Sequence, residues 1–255
     1  MKKFLICAVF AIAALMMTTP AMALNENEHV VQAPNGLGDL LIFPHYIAVA
    51  NGWETKLTVT NTDDQRSVVA KVVVRSAAYS EELLDFLIYL SPADVWTGFL
   101  YYNETNGASM YSTDDSVQSG VDLWASEENP LDQPLAGTCS NDPLGNAFGY
   151  VEVVEVWSST ALYACTATGG NEDLGPATDT PVSKPCILEA YTDDFVATQD
   201  TPFNVLTGHY EVSLAGVFLA ADQATILRDY DQIAQETVQV ETRLGTLRFK
   251  DGAPG

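Results

Sequence analysis

The chain is poor in basic residues, cysteine and histidine, and each shortage excludes a class of function. It has 11 lysines and arginines against 34 acidic residues, which gives a formal net charge of −23 at pH 7. Nucleic acids and anionic membrane surfaces are poor partners for a protein with such a field. The 4 cysteines show no Cys-x-x-Cys spacing, which argues against zinc sites and thioredoxin-type redox sites.

Catalytic motifs are missing as well. The sequence contains no nucleophile elbow, His-Glu-x-x-His pattern, Walker or Rossmann glycine pattern, Ser-x-x-Lys motif or EF-hand spacing. His45 and His209 each precede a tyrosine, and they could form a metal or acid–base site only if their strands were neighbours. Glu152 and Glu155 would project from opposite faces of a strand, so they cannot flank one glycosidic bond. The sequence therefore favours a protein without enzymatic activity.

The first 23 residues have the features of a signal peptide. Lys2 and Lys3 precede an apolar run from Phe4 to Met17, and an Ala-x-Ala cleavage site ends at Ala23. The run is shorter than the roughly 20 residues that a membrane span needs. We therefore expect signal peptide 1–23, an exported mature chain 24–255 without a transmembrane anchor, and a mature charge of −25 after removal of the two lysines.

Apolar and polar residues alternate along several segments, which is typical of half-buried strands. The segment 51–76 predicts an antiparallel hairpin whose turn is Asn-Thr-Asp-Asp-Gln-Arg-Ser. Further strands are predicted at 83–90, 94–102, 149–157 and 208–220, and the apolar run at 38–49 is expected at a sheet edge or a bend because of Pro44. The pattern predicts one mainly β domain, an antiparallel β-sandwich of immunoglobulin-like or jelly-roll-like type.

Three segments depart from this alternation. Residues 103–148 and 166–185 are rich in Asn, Asp, Ser, Thr, Gly and Pro, and are expected to be long polar loop insertions. Residues 221–236 have Asp222 as a plausible N-cap and apolar residues at helical spacing. They predict one short C-terminal helix.

Three cysteines remain after the predicted cleavage, so at most one internal disulfide can form. Cys165 and Cys186 bracket a polar loop, and a bond between them would stabilise the protein by about 3 kcal/mol. Pairings through Cys139 stay open.

Acidic residues cluster at the expected turns and suggest calcium ligands. Hard cations bind six to eight oxygen atoms, often supplied by such loops. The candidate metal ligands are Asp63, Asp64, Asp114, Asp115, Asp142 and Asp173. Two alternatives remain: a solvated surface suited to salty water, and a binding surface for a basic partner.

Four sequence blocks resemble a group of uncharacterised secreted β-rich proteins of Gram-negative bacteria. The blocks are GDLLIFPHY, NGWETKLTVTNT, LLDFLIYLSPADVWTG and GYVEVVEV, within residues 36–160. The resemblance implies export to the periplasm, the cell surface or the extracellular space, and a β-rich fold. It implies no catalytic residue.

Two functions fit these observations. The first is a non-enzymatic structural or adhesive protein at the cell surface or outside the cell, which binds other copies of itself or another surface protein. In one version, the strand LLIFPHYIAV completes the sheet of a neighbouring copy; the alternative is that it pairs within its own chain. The second is a secreted carbohydrate-binding module or polysaccharide hydrolase that recognises glycan and depends on calcium. Its candidate aromatic residues are Trp53, Trp96, Trp124 and Trp157.

Overall fold

The computed structural model describes residues 31–121, 123–137, 143–159, 183–194, 203–228, 238–241 and 246–249. The predicted signal peptide 1–23 and most of the predicted loop 166–185 lie outside these residues. Strands account for most of the described chain, and neighbouring strands are antiparallel throughout.

Two large sheets form the body of the protein. The first contains β1 (Val31–Gln32), β2 (Leu40–Ile47), β4 (Ser67–Ser76), β5 (Glu82–Leu90), β11 (Phe148–Ser159) and β14 (Thr225–Arg228) in the order β1-β14-β2-β11-β4-β5. The second contains β3 (Trp53–Asn61), β6 (Val95–Asn103), β7 (Gly107–Ser112), β10 (Leu131–Pro134), β12 (Leu206–Leu214) and β13 (Val217–Gln223) in the order β10-β7-β6-β3-β12-β13.

Smaller elements complete the described chain. Strands β8 (Gln118–Gly120) and β9 (Leu123–Trp124) form one two-stranded sheet, and β15 (Val238–Glu241) and β16 (Thr246–Phe249) form another. A helical turn α1 spans Pro143–Asn146, and helix α2 spans Lys184–Asp194.

The main core lies between the two large sheets, as the alternation predicted. Leu57 and Val59 of β3 are fully buried and face Val72 and Val74 of β4 across the sandwich core. Since successive side chains alternate between the faces of a strand, this pattern fixes which face of each sheet turns inward. The predicted mainly β, antiparallel sandwich is confirmed.

A second apolar cluster explains why β4 is buried on both faces. Helix α2 covers the outer face of the first sheet, where Ile187 and Tyr191 pack with Val69, Tyr89 and Trp157. At its first residue, the Lys184 ammonium group pairs with the carboxylate of Asp94, which follows β5. The helix is thereby anchored to the turn between β5 and β6.

The predicted hairpin over 51–76 is wrong in its pairing. Strand β3 pairs with β6 and β12, whereas β4 pairs with β5 and β11, so the connecting turn passes from one sheet to the other. The predicted positions of the two strands are correct. Each strand lies in the interior of its sheet, however, and has buried residues on both of its faces. Turn-forming residues are compatible with either connection, and they do not choose between them.

The predicted helix over 221–236 is also wrong where the structure describes it. Residues 217–223 form β13 and residues 225–228 form β14, which buries Ile226 in the main core. The helix is α2, in the segment after Ser183. Short apolar runs are compatible with helix or strand, and here pairing with β12 and β2 decides for strand.

One further segment differs from expectation, and a second agrees with one of the alternatives left open. The expected loop insertion 103–148 contains β7 and β10, which extend the second sheet, together with β8, β9 and α1. Strand β2 pairs with β11 and β14 inside its own chain, so the structure favours internal pairing over the donation of this strand to a neighbour. Pro44 lies where the β2–β11 register shifts, which agrees with the expected bend. Within the described residues, no helix is long and apolar enough to cross a membrane.

Candidate site for strand addition

Two of the four lateral edges of the large sheets, those at β5 and β10, are protected. On β5, the Tyr89 N–H donates to Ser116 O at 2.7 Å, and Leu83 O accepts from the Ala136 N–H at 3.3 Å. Strand β10 is four residues long and ends at Pro134, whereas β1 begins at the first described residue, so the length of that edge is not established. Short strands, proline and covering loops are the usual devices by which proteins prevent pairing at a sheet edge.

The edge at β13 has no added strand along its length among the described residues. All seven of its residues are exposed, and its only strand partner in the described part of the chain is β12. Val217 is 62% exposed, Phe218 61% and Leu219 49%. An apolar edge strand that presents unpaired peptide groups is a template for the addition of another strand.

Two stacked turns hold the start of β13 in place. Ala215 and Gly216, with φ of 50° and 78°, form the tight connection between β12 and β13. Asn51 and Gly52, with φ of 74° and 87°, lie next to them, and the Ala215 N–H donates to Gly52 O at 2.7 Å. A Cβ atom on Gly52 would lie 3.0 Å from the Ala215 backbone, so this close approach requires glycine.

The β12–β13 pairing contains a bulge near the turn, which changes the direction of the apolar side chains on β13. Val212 pairs with Ala220 and Ser213 with Phe218, so Leu219 is the extra residue. Bulges of this kind increase the local twist and are one device that protects an edge. The strand lacks lysine and proline, however, and Asp222 is its single charged residue. Residues 217–221 therefore remain an uninterrupted apolar edge.

Acidic residues outnumber basic ones around β13, where Lys56 on β3 lies opposite Glu211 on β12. Glu211 on β12 lies opposite Ala221, and Glu54 on β3 accepts a hydrogen bond from Ser213 Oγ at 2.9 Å. Burial, and to a smaller extent the charge of Asp222, raises the pKa of Tyr210. An incoming strand that carries positive charge would be attracted to this edge.

The acidic residues predicted as calcium ligands serve turns where they can be described. Asp63 Oδ1 accepts from the N–H groups of Gln65 and Arg66 at 2.8 and 2.9 Å. Asp114 Oδ1 accepts from the Ser116 N–H at 2.9 Å. Asp64 is exposed, and burial together with the neighbouring Asp114 raises the pKa of Asp115.

These acids do not converge on one point. Within the described ranges, no group of three or more His, Cys, Asp or Glu residues is placed to hold a metal ion. Asp142 and Asp173 lie outside those ranges. A calcium site stays a prediction.

The structure does not bring His45 and His209 together, because each contacts a different neighbour. His45 Nδ1 is 3.4 Å from Tyr210 Oη, and the two rings meet edge to face with centroids 4.9 Å apart. His209 precedes Tyr210 on β12 and projects to the outer face, where its Nε2 is 4.0 Å from Glu211 Oε1. Because adjacent residues on a strand project oppositely, the structure joins His45 to Tyr210 rather than to His209.

The four tryptophans are packed rather than displayed. Trp96 and Trp157 are buried, at 0% and 3% exposure. Trp53 packs against the main core, and Trp124 contacts Tyr89 with ring centroids 5.3 Å apart. An exposed aromatic platform for sugar is therefore not formed by these side chains.

The two glutamates of β11 project apart, as predicted. Glu152 pairs with Arg75 at 2.6 Å, and the buried Glu155 accepts a hydrogen bond from the Phe203 N–H at 2.9 Å. Cys186 is buried in α2, with its Sγ 2.7 Å from Ser183 Oγ. Cys139 and Cys165 lie outside the described residues, so the Cys165–Cys186 pairing stays a prediction.

Sequence reasoning missed the β13 edge because it treated 208–220 as one strand and 221–236 as a helix. The signal that would have found it is the Ala215-Gly216 pair, since a glycine between two apolar runs is typical of a tight hairpin turn. A turn at this pair predicts two apolar strands in place of one, and only one of the two could lie in the interior of the sheet.

Comparison with known proteins gives no indication of function, so the functional proposal depends on the geometry of the β13 edge. The resemblance carried by the blocks within residues 36–160 stays a prediction. The chain matches no protein-family model, no curated protein and no solved structure.

Proposed function

We propose that this protein is an exported, non-enzymatic structural or adhesive component of the envelope or extracellular surface of a Gram-negative bacterium, and that it assembles by strand addition at β13. The observation that carries the proposal is the exposed apolar edge Val217–Gln223 in a sandwich whose β5 and β10 edges are protected. Strand addition would pair its free peptide groups and remove its apolar side chains from water.

The gain from this edge is moderate. Covering the exposed parts of Val217, Phe218 and Leu219 contributes on the order of 3–5 kcal/mol. Association costs several kcal/mol in lost translational and rotational freedom. Main-chain hydrogen bonds and further contacts must therefore add to the apolar term, which makes a reversible, concentration-dependent assembly the expected behaviour.

The acidic surface supports the same function. A formal charge of −23 keeps copies of the chain apart wherever they meet at random. The exposed apolar residues Val217–Leu219 offer a contact whose burial can offset part of this repulsion.

The test is the molar mass of the mature protein, residues 24–255, by size-exclusion chromatography with light scattering over a range of concentrations. We expect an oligomer that dissociates in the double variant Val217→Asp/Leu219→Asp. The control is Val121→Asp, because Val121 is 85% exposed and lies away from β13. A wild-type monomer at every concentration, or an oligomer that survives the double variant, would overturn the proposal.

The same measurement in calcium and then in EDTA tests the predicted calcium dependence. Loss of the oligomer in EDTA would assign a bound cation to the acidic loops. An unchanged mass would leave the β13 contact independent of metal.

A further inference from the structure

The ammonium group of Lys184 and the carboxylate of Asp94 form a contact that strand addition at β13 does not involve. Lys184 is the first residue of α2 and is buried, with 8% of its surface exposed. Asp94 lies in the turn between β5 and β6. The contact therefore joins the helix to the connection that leads from the first sheet to the second.

Hydrogen bonds hold the Asp94 carboxylate in one orientation. Its Oδ2 atom accepts from the N–H and from the Oγ–H of Ser91, both at 3.0 Å, and its Oδ1 atom accepts from the Val95 N–H at 2.9 Å. The Asp94 backbone carbonyl accepts from the Asn61 N–H at 2.9 Å, which fixes the turn itself. The carboxyl carbon, one bond from Oδ2, is thereby held next to Lys184 Nζ.

Burial makes the amine of Lys184 a better nucleophile. It lowers the pKa of Lys184 to about 8, although a carboxylate lies beside the amine. Near that pH a large fraction of the amine is neutral and carries a free lone pair, as in lysines that act as nucleophiles after desolvation. Contact between the two groups also replaces a chance encounter by a fixed geometry, which favours reaction.

We propose that Lys184 and Asp94 become joined by an intramolecular isopeptide bond once the chain has folded. The bond between Nζ and Cγ forms, and the bond between Cγ and Oδ2 breaks. Oδ2 leaves as water with the two protons that the ammonium nitrogen gives up, and Oδ1 becomes the oxygen of the new amide. No atom is oxidised or reduced, and the reaction requires no cofactor.

The hydrogen bonds around Asp94 fit this reaction. The Val95 N–H is placed to stabilise the negative charge that develops on Oδ1 when Nζ adds to the carboxyl carbon. Ser91 Oγ contacts the departing Oδ2 and can pass a proton to it. Ser91 and Lys184 are both buried, which restricts the access of water, the reactant that would hydrolyse the bond.

The bond would fasten α2 covalently to the body of the sandwich. It goes beyond the proposed function and does not depend on it, because neither residue lies on β13. A helix held only by the packing of Ile187 and Tyr191 leaves the sheet when the protein is heated, whereas a crosslinked helix stays attached. Such a crosslink suits a protein exposed to conditions outside the cell.

The test is the intact mass of the mature protein, residues 24–255, kept folded above pH 8 and then reduced so that disulfides do not alter the mass. We expect a mass about 18 Da below that of the sequence, which is the loss of one water. Peptide mapping should recover a peptide that contains Asp94 linked to one that contains Lys184.

Two lysine variants locate the bond. Lys184→Arg should have the full mass of its sequence, because a guanidinium group stays protonated and does not attack the carboxyl carbon. Lys56→Arg, at a lysine on β3, should still show the loss of water. Circular dichroism establishes that both variants are folded.

A wild-type protein with the full mass of its sequence would overturn the proposal, and the contact would then be an ordinary ion pair. A loss of water that persists in Lys184→Arg would also overturn it, because the bond would lie elsewhere. Either result would leave strand addition at β13 untouched, since that function is tested by the molar mass of the assembly.

Discussion

The side-chain amide of Asn61 donates a hydrogen bond to the carbonyl oxygen of Ser91 at 2.9 Å, in a buried position. The same amide donates to Arg66 O at 2.7 Å. Asn61 ends β3, Arg66 lies just before β4, and Ser91 follows β5, so one side chain fixes the connection that passes from the second sheet to the first. This arrangement replaces the hairpin that the sequence predicted.

Asn61→Asp should destabilise the protein by about 2–4 kcal/mol, because it keeps the shape but removes the two donors and leaves two acceptors facing a carboxylate. The measurement is the free energy of unfolding in urea. Asn35→Asp is the matched control, since exposed Asn35 uses its side-chain oxygen as an acceptor for the Leu37 N–H and aspartate retains that oxygen. Equal stability of the two variants would contradict the role given to Asn61.

Alkaline pH should unfold the protein through its buried tyrosines. Burial raises the pKa of Tyr191 to about 12 and also raises the pKa of Tyr46 and Tyr89. The folded state then binds more protons than the unfolded state above pH 10, so stability is full below that pH and is lost as pH rises toward 12. For Tyr191 alone the loss approaches about 3 kcal/mol.

Unfolding in urea at increasing pH, followed together with tyrosinate absorbance, measures this loss. Tyr191→Phe should reduce the dependence on pH, because phenylalanine cannot ionise. A protein whose stability stays constant from pH 10 to pH 12 would contradict the prediction.

Trp124→Ala should lower stability rather than abolish a binding activity. Trp124 is partly buried and packs edge to face on Tyr89, so its truncation should cost about 1–2 kcal/mol. Thermal unfolding measures this cost, and a glycan array measures binding. Glycan binding that disappears in a fully stable variant would favour the carbohydrate-binding function instead.

Peptide mapping without reduction should recover Cys165 linked to Cys186. The bond would tie α2 to the segment before it, and reduction should lower the free energy of unfolding by about 3 kcal/mol. Cys139→Ser should leave the linkage and the stability unchanged. Recovery of Cys139 linked to Cys186 would show that the pairing was misassigned.

The fold class could be predicted because the alternation of residues such as Leu57, Val59, Val72 and Val74 reports burial directly. The pairing could not, since β3 pairs with β12, which lies far along the chain, and no local pattern specifies that partner. Helix α2 was missed because it packs on an outer sheet face, and its apolar residues follow no strong amphipathic period. Tertiary pairing likewise decides that residues 221–228 are strand.

The β13 edge was harder still to predict. Its residues Val217–Leu219 have the composition of a buried strand, and sequence alone does not say which strand is left at the side of a sheet. The Ala215-Gly216 turn indicates a second strand, but only the order of strands shows that, among the described residues, β13 has one neighbour.

Strand β13 continues into β14 through one residue, Ala224, which is buried and donates its N–H to Gly208 O at 3.0 Å. The open edge of one sheet is therefore joined directly to an interior strand of the other, and β14 pairs with β2 in turn. Strand β13 is thus held at both ends, by the Ala215-Gly216 turn to β12 and by its continuation into β14. The edge proposed to receive a neighbouring strand is therefore covalently continuous with both layers of the sandwich.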